Sequence, residues 1–331
     1  MYATAYHTTS LEDKTILITG AAGFIGSNLV EYLLKYKVGK VIVLDNFLTG
    51  YRSNVTPFLD HPNYEFIEGD IRDLEVCMKA CEGVDIVCHQ AAMGSVPRSI
   101  KEPYATTGHN VDGFVNMAFA AHQHGIKRFV YASSSSVYGD EPNLPKVEHR
   151  IGKPLSPYAI TKLSNELFAE NFGRLYDMEF IGFRYFNVFG PRQSPKGAYA
   201  AVIPLFAEAC MNDKEVFING DGGQTRDFTF VENVVQINIK AMLTNNPEAV
   251  NQVYNVGCGG RYTVQELFEG VREAAGVPEK EAIHRAPRAG DIRDSQADIS
   301  KARKLLGYDP QFDFKEGLKI TVDYFKDLVL G

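Results

Sequence analysis

One stretch decides the fold of this chain: Thr15-Ile16-Leu17-Ile18-Thr19-Gly20-Ala21-Ala22-Gly23-Phe24-Ile25-Gly26. A short apolar run ends in glycines, and residues 28–36 then place leucines and tyrosines at helical spacing. In such a strand-turn-helix unit the first glycine permits a tight turn, the second lets the backbone approach a diphosphate, and the third lets helix and strand pack closely. The stretch therefore predicts a turn that binds a dinucleotide at the start of a helix.

The same alternation continues downstream. Further apolar runs rich in branched residues lie at 41–44, 64–67, 85–89, 128–132 and 180–184, and each is followed by a segment that can be helical. Strands that are apolar on both faces and alternate with helices indicate a parallel sheet covered on both sides. We therefore predict an α/β fold with a Rossmann-type doubly wound parallel sheet.

The composition of the sequence changes after Asn187: glycine-rich and proline-rich turns become frequent, and the apolar runs between them are shorter. This change predicts a Rossmann domain over 1–188 that binds NAD and a smaller C-terminal substrate-binding domain over 189–331. Segments near 228–256 are expected to return to the first domain.

Composition narrows the classes of function. The chain has 331 residues, 45% of them apolar, and a net charge of -7 that disfavours nucleic acid as a partner. The N-terminus has neither the basic start nor the apolar core of a signal peptide, and the longest near-apolar stretch, 198–207, is too short to span a membrane. The 5 cysteines lack metal-ligand spacing. We expect a cytoplasmic protein with reduced thiols, no membrane contact and no metal site.

Three later positions favour NAD at the predicted dinucleotide site. Asp45 ends the second strand, where a carboxylate can bind both ribose hydroxyls and would repel the 2′-phosphate of NADP. Asp70-Ile71 is expected to flank the adenine. Gln90-Ala91-Ala92 offers small residues where the backbone must pass near the cofactor.

Chemistry is suggested by Tyr158 and Lys162, which follow the serine run 133–136. Four residues along a helix bring two side chains onto one face, so the lysine can lower the pKa of the tyrosine and stabilise its phenolate. A serine from an adjacent strand end could share the substrate proton. This combination is typical of hydride-transfer chemistry.

Together these motifs resemble the extended short-chain dehydrogenase/reductases, specifically the NAD-dependent nucleotide-sugar 4-epimerases. The glycine spacing G-x-x-G-x-x-G favours that group over other dinucleotide folds. The resemblance runs through nearly all of the chain, and it is most similar to bacterial UDP-N-acetylglucosamine 4-epimerases. It rests on the glycine triad, Asp45-Asn46, Asp70-Ile71, His89-Gln90-Ala91-Ala92, Asn110, the serine run before Val137-Tyr138-Gly139, Tyr158 and Lys162, the run 184–191, Arg226-Asp227-Phe228 and Arg288-Ala289-Gly290-Asp291.

The resemblance implies a role for each matching residue. Tyr158 would be the base at the sugar C4, Lys162 its electrostatic partner, and Ser134 the catalytic serine, with Ser135 as the alternative for sharing the proton. Cofactor contacts are implied for Gly20, Gly23, Phe24, Ile25, Gly26, Asp45, Asn46, Phe47, Gly50, Asp70, Ile71, Gln90, Ala91, Ala92, Asn110, Ser133, Tyr158, Lys162, Tyr185 and Val188. Substrate contacts are implied for Gly94, Ser95, Ser134, Ser135, Tyr158, Asn187, Ala201, Val202, Asn219, Arg226, Arg288, Asp291 and Ser295.

The reaction expected from the resemblance is epimerisation. Related dehydratases carry an Asp-Glu pair after the catalytic hydroxyl residue, and related decarboxylases a glutamate before Val-Tyr-Gly; this chain has Ser135 and Ser136 there. Hexose-specific relatives carry a tyrosine where this chain has Ser295, and bulkier residues at Gly94-Ser95. The smaller residues favour interconversion of UDP-N-acetylglucosamine and UDP-N-acetylgalactosamine.

Alternative interpretations stay open at this point. A 4-epimerase of UDP-N-acetylhexosaminuronic acids would need a cation near the sugar C6, which Arg98 or Arg192 could supply. A UDP-glucose/UDP-galactose epimerase is a second alternative, and a non-catalytic NAD-binding scaffold is a third. The resemblance also implies a homodimer paired through helices near 111–122 and 157–172.

Overall fold

The computed structural model describes residues 1–195, 201–286 and 293–330. The strands of these ranges are, in chain order, β1 (Thr15–Thr19), β2 (Lys40–Asp45), β3 (Tyr64–Glu68), β4 (Ile86–His89), β5 (Arg128–Ser134), β6 (Glu179–Tyr185), β7 (Val188–Phe189), β8 (Val216–Asn219), β9 (Thr225–Arg226), β10 (Thr229–Phe230), β11 (Gln252–Val256), β12 (Tyr262–Thr263) and β13 (Ala282–Arg285). The helices are α1 (Phe24–Lys35), α2 (Leu74–Ala80), α3 (Val96–Lys101), α4 (Pro103–Thr107), α5 (Gly113–Gln123), α6 (Pro157–Tyr176), α7 (Val202–Met211), α8 (Val231–Leu243), α9 (Val264–Ala275), α10 (Ser300–Leu306) and α11 (Phe314–Leu330).

Within the described residues, seven strands form one parallel sheet in the order β3-β2-β1-β4-β5-β6-β11. The order runs outward in opposite directions from β1 and β4, so the carboxyl ends of these two strands flank the switch point, where ligands of such sheets bind. Each strand run expected from the sequence lies in this sheet. The predicted Rossmann-type fold is confirmed.

The sheet is covered on both faces because its side chains alternate between two buried clusters. Ile16 and Ile18 pack with residues of α1 and α8, whereas Leu17 packs with residues of α2, α5 and α6. A third cluster lies apart from these two and joins α7, α9 and α11 through phenylalanines at 206, 268 and 314.

The chain alternates between the sheet and the third cluster, and it returns to the sheet after it has entered that cluster. Residues of α8 pack with the first cluster, and β11 pairs with β6 to complete the sheet. Segment 231–256 therefore lies with the sheet, while the division into 1–188 and 189–331 stays a prediction. None of the helices in the described ranges has both the length and the hydrophobicity needed to cross a bilayer.

Candidate active site

The turn after β1 has no room for side chains. Gly20 has a φ of +74°, which favours glycine, and a Cβ built there would lie 2.7 Å from the Cα of Ala91. A Cβ at Gly26 would lie 2.6 Å from the carbonyl oxygen of Gly20. Because the N-cap of α1 is Gly23, no side chain covers the first amides of the helix. The open helix N-terminus can thus bind a diphosphate.

Asp45 lies at the end of β2 beside this turn. Its Oδ2 accepts the N–H of Ala22 at 2.9 Å, and its Oδ1 accepts the N–H of Phe47 at 2.7 Å. Burial raises the pKa of the carboxyl above its usual value, and the backbone hydrogen bonds oppose that shift. Asp45 lines the same cavity as the glycine turn, and a carboxylate at the end of the second strand is suited to binding ribose hydroxyls.

The end of β5 and the first turns of α6 bring a hydroxyl, a phenol and an ammonium together. The Ser134 side chain lies close enough to the Tyr158 phenol to lower its pKa. The Ser134 hydroxyl also accepts the N–H of Ser136 at 3.1 Å. Lys162 is buried one turn beyond Tyr158, and its Nζ donates to the carbonyl oxygen of Ala132 at 2.8 Å. This group is suited to moving a proton at the cavity wall.

Burial controls the protonation of the group. It raises the pKa of Tyr158 above its usual value, and the hydrogen bond from Ser134 acts in the opposite direction. It also lowers the pKa of Lys162 to about 8, which the negative charge of Glu166 partly offsets. The sequence predicted a lowered pKa for Tyr158 beside the lysine. The shift in the pKa of Tyr158 is upward instead, because burial disfavours the charged phenolate.

Ser133 and Tyr185 support the group from behind and beside it. The Ser133 hydroxyl is buried and donates to the carboxylate of Glu166. Tyr185 is the register partner of Ser134, and its hydroxyl accepts from Nδ2 of Asn238 at 2.9 Å. Both hydroxyls are thus held by fixed partners close to Ser134.

Asn110 sits in the π-helical turn Gly108–Asp112 and braces two parts of the site. Its Oδ1 accepts the N–H of Met93 at 2.7 Å, and its Nδ2 donates to the Thr161 hydroxyl at 3.0 Å. The amide therefore fixes the loop after β4 against the start of α6. Such turns are frequently found at functional sites.

A cavity of about 870 Å³ joins the glycine turn to the catalytic group. The expected site residues in its wall are Gly20, Gly23, Phe24, Ile25, Gly26, Asp45, Asn46, Ile71, Gln90, Ala91, Ala92, Gly94, Ser95, Ser133, Ser134, Ser135, Tyr158, Lys162, Tyr185, Asn187, Val188 and Ala201. Cofactor and substrate candidates, separated widely in sequence, therefore share one cavity.

A smaller cavity of about 200 Å³ lies next to the first one. Asn187 lines both cavities. Val202, Asn219 and Arg226 line the smaller one, together with the ring of Phe217. A flat apolar base and a charged group could be held here.

Several expected residues lie outside both cavity walls, for identifiable reasons. Phe47 packs its ring on Phe66 with the centroids 5.2 Å apart. A Cβ at Gly50 would lie 2.6 Å from the Cβ of Ala22, so that loop packs on the glycine turn. Asp70 bonds to Asn46 and is ion-paired with Arg72, whose hydrogen bonds lower the pKa of Asp70 to about 2. Asn110 holds Met93 and Thr161 as described above.

Among the expected substrate residues, Ser295 also lies outside both cavity walls, and it donates its N–H to the carbonyl oxygen of Thr225 at 3.1 Å. Arg288 and Asp291 lie outside the described residues.

Other wall residues escaped sequence reasoning. Tyr51 and Ser194 both line the larger cavity, and the Ser194 hydroxyl donates to the Tyr51 hydroxyl at 2.9 Å. His109 also lines it, as does Arg98, which the sequence had offered as a cation near the sugar. The serine-tyrosine contact spans 143 positions, and no local pattern marks such a pair. No group of His, Cys, Asp or Glu able to hold a metal ion occurs in the portion of the chain that the structure describes.

Comparison with known proteins identifies the family. A model of the NAD dependent epimerase/dehydratase family matches residues 16–257. The chain belongs to that family. Its cofactor is NAD, and the residues present fit it: a glycine turn closed to side chains, an open helix N-terminus and the carboxylate of Asp45 in the wall of the same cavity.

Similar proteins cover this epimerase/dehydratase chain almost end to end. A putative UDP-glucose 4-epimerase of Methanocaldococcus jannaschii is 38% identical over 314 residues, which is 94% of this chain and 98% of that protein. A UDP-glucose 4-epimerase from Thermotoga maritima, solved with UDP-glucose, is 37% identical with a TM-score of 0.89, covering 95% of this chain and 99% of that one. A UDP-N-acetylglucosamine 4-epimerase from Methanobrevibacter ruminantium M1, in complex with UDP-N-acetylmuramic acid, has the same identity and TM-score, covering 96% and 99%.

Proposed function

We propose that this protein catalyses the reversible, NAD-dependent C4 epimerisation of UDP-N-acetylglucosamine and UDP-N-acetylgalactosamine through a 4-keto sugar. The observation that carries the proposal is that Ser134, Tyr158 and Lys162 share the wall of one cavity with Asp45 and the glycine turn. Relatives named as 4-epimerases support the reaction type.

Bound NAD supplies the acceptor, and later the donor, of the C4 hydride. Tyr158 takes the proton of the C4 hydroxyl, directly or through Ser134, and Lys162 stabilises the phenolate while it stays protonated. After the 4-keto sugar has turned its other face, Tyr158 returns the proton to the C4 oxygen. Arg226 at the smaller cavity would hold the diphosphate so that the sugar turns without leaving.

The residues after Ser134 favour this outcome over dehydration. Elimination of water needs an additional acid and base, and the positions where related dehydratases carry them hold Ser135 and Ser136. Their hydroxyls are poor substitutes for carboxylates near neutral pH. Oxidation and re-reduction at C4 is the chemistry that the remaining groups can perform.

The N-acetyl preference is supported at Gly94. This residue lines the larger cavity, and a Cβ built on it would meet no heavy atom within 4 Å. The wall therefore has open space beside Ser95, which an acetamido group could occupy. Ser295 lies outside both cavity walls, beside the strand of Arg226, so its part in the preference rests on the resemblance, in which a tyrosine at this position fills the pocket.

A second candidate is supported by Arg98, which lines the larger cavity and could face a C6 carboxylate. Arg192, the other arginine considered, is ion-paired with Glu31 instead. A 4-epimerase of UDP-N-acetylhexosaminuronic acids would use this cation. Turnover of the acid and neutral sugars by one preparation decides between the two.

The test is to incubate the purified protein with UDP-N-acetylglucosamine and with UDP-glucose and to identify the products and the nucleotide released on denaturation. We expect epimerisation of the N-acetylated sugar and release of NAD. Gly94→Leu and Ser295→Tyr should each lower kcat/KM for the N-acetylated sugar at least tenfold relative to UDP-glucose, because a filled pocket excludes the acetamide. Retention of the N-acetyl preference by both variants would contradict the assignment of the pocket.

A further inference from the structure

Glu166 has no part in the chemistry described so far, yet it lies directly behind it. On α6 it follows Lys162 by one turn and Tyr158 by two, so the three side chains share a helix face. Its Oε1 accepts from the Ser133 hydroxyl and from Nε of Arg184 at 3.0 Å. Its Oε2 accepts from Nη2 of Arg184 at 2.7 Å. Both carboxylate oxygens are thus fully used, and the residue is 7% exposed.

These contacts join the three elements that carry the reacting groups. Ser133 precedes the catalytic Ser134 at the end of β5, and Arg184 precedes Tyr185 at the end of β6. Arg184 is itself held, since its Nη1 donates to the carbonyl oxygen of Glu148 at 2.9 Å. A movement of the Glu166 carboxylate would therefore disturb both strand ends and α6 together.

Stability alone is a weak reason for such a pair. Burying two charges costs several kcal/mol per ion, and well-packed apolar residues of similar volume often give equal or greater stability. The hydrogen bonds instead fix the orientation of the Glu166 carboxylate and of its partners, because each of its two oxygens has a partner with fixed geometry.

The charge of Glu166 also acts on Lys162. Burial lowers the pKa of Lys162 to about 8, and Glu166 opposes that shift. The other group facing the lysine is His89 on β4, whose pKa burial lowers to about 3, so it stays neutral and offers no opposing charge. The charge of Glu166 also acts on Tyr131 of β5 and Lys301 of α10, and it raises the pKa of each. Loss of the negative charge would leave Lys162 and Arg184 as buried cations.

We propose that Glu166 is a positioning residue: its single buried carboxylate holds the ends of β5 and β6 against α6 and so fixes Ser134 relative to Tyr158, while its charge favours the protonated form of Lys162. The inference deepens the proposed epimerisation and rests on it for the catalytic roles. The charge of Lys162 is, however, measurable whether or not the substrate is the one proposed.

The experiment follows the titration of Lys162 in the holoenzyme labelled with ¹³Cε-lysine, with Lys162→Met used to assign the signal. In Glu166→Gln we expect the midpoint to fall by about one pH unit, since an opposite charge is lost. The alkaline limb of kcat/KM should move to lower pH by the same amount. Glu170→Gln is the matched control, because this exposed glutamate one turn further on pairs with Arg174 and should leave both values unchanged.

Two more variants separate charge from geometry. Glu166→Asp keeps the charge, so the midpoint should stay near that of the parent protein while kcat falls. Ser133→Ala should lower kcat with little change in KM or midpoint. If Glu166→Gln does not fold, Glu166→Gln combined with Arg184→Met removes both charges, and the midpoint should shift in the same direction. An unchanged midpoint in a folded Glu166→Gln or double variant would overturn the proposal, whereas absence of epimerised product in the parent protein would overturn the proposed function.

Discussion

At the scale of single residues, the proposed chemistry depends on the Ser134 and Tyr158 hydroxyls. Ser134 lowers the pKa of the phenol, and its neighbour Ser135 lines the same cavity. The sequence could not separate the two, because adjacent residues in a serine run carry the same chemistry. In the structure Ser134 ends β5 and acts on the pKa of Tyr158, whereas Ser135 begins the turn that follows the strand.

Removing these hydroxyls should affect kcat in a defined order. We expect Tyr158→Phe to lower kcat by a factor of about 10² to 10⁴, because it removes the base while keeping the ring. Ser134→Ala should lower kcat at least tenfold, and Ser135→Ala, the matched control, should lower it less. KM should change little in all three. Steady-state product formation measures this, and a larger loss in Ser135→Ala would transfer the role to Ser135.

At the scale of elements, the turn between β1 and α1 depends on two separate properties of glycine. Gly20 needs a positive φ and also a close approach to Ala91. Gly83, in the turn before β4, has a φ of +69°, and a Cβ there would meet nothing within 4 Å. Comparing Gly20 with Gly83 therefore separates the effect of backbone strain, which both positions have, from the effect of a steric clash, which only Gly20 has.

Alanine at these two positions should therefore have different effects. Gly83→Ala should cost about 1–2 kcal/mol of stability and leave NAD content unchanged. Gly20→Ala should cost more, since its Cβ would displace the backbone of Ala91, and it should lose bound NAD. Thermal unfolding and the nucleotide released per chain measure both effects. Equal NAD content in the two variants would contradict the steric role of Gly20.

The elements differ in how far the sequence predicts them. The sheet strands and the glycine turn were predictable, because their signals lie in runs of a few residues with a regular period. Asn110 was expected at the cofactor and instead braces Met93 and Thr161, since a buried amide takes whichever partners the fold brings to it. The bridge from Ser194 to Tyr51 had no sequence signal, because nothing local encodes a contact between distant loops.

At the scale of the whole molecule, α6 presents two faces with different chemistry. One carries the catalytic pair, and the other exposes Ile160 and Leu167, which are 54% and 59% accessible. Residues seven apart on a helix lie on one side of it. Two large exposed aliphatic side chains on one helix face are suited to contact with a second copy of the chain.

We therefore expect a homodimer that depends on this face. Ile160→Arg combined with Leu167→Arg should convert dimer to monomer, because charges replace the apolar contact. Leu328→Arg is the control, since Leu328 on α11 is 61% exposed and lies on a different helix. Light scattering after size-exclusion chromatography gives the mass. A monomeric parent protein, or a dimer unaffected by the double change, would contradict the expectation.

The position of β11 has a consequence for how the chain is made. Within the described residues, the side of β6 away from β5 pairs with residues 252–256, which leave the ribosome about seventy positions after β6 does. Until then a nascent chain exposes a row of unpaired backbone groups, the feature that promotes pairing with other chains. The sheet is therefore complete only after β11 has been synthesised. A fragment that ends at residue 188 would leave this side of β6 unpaired.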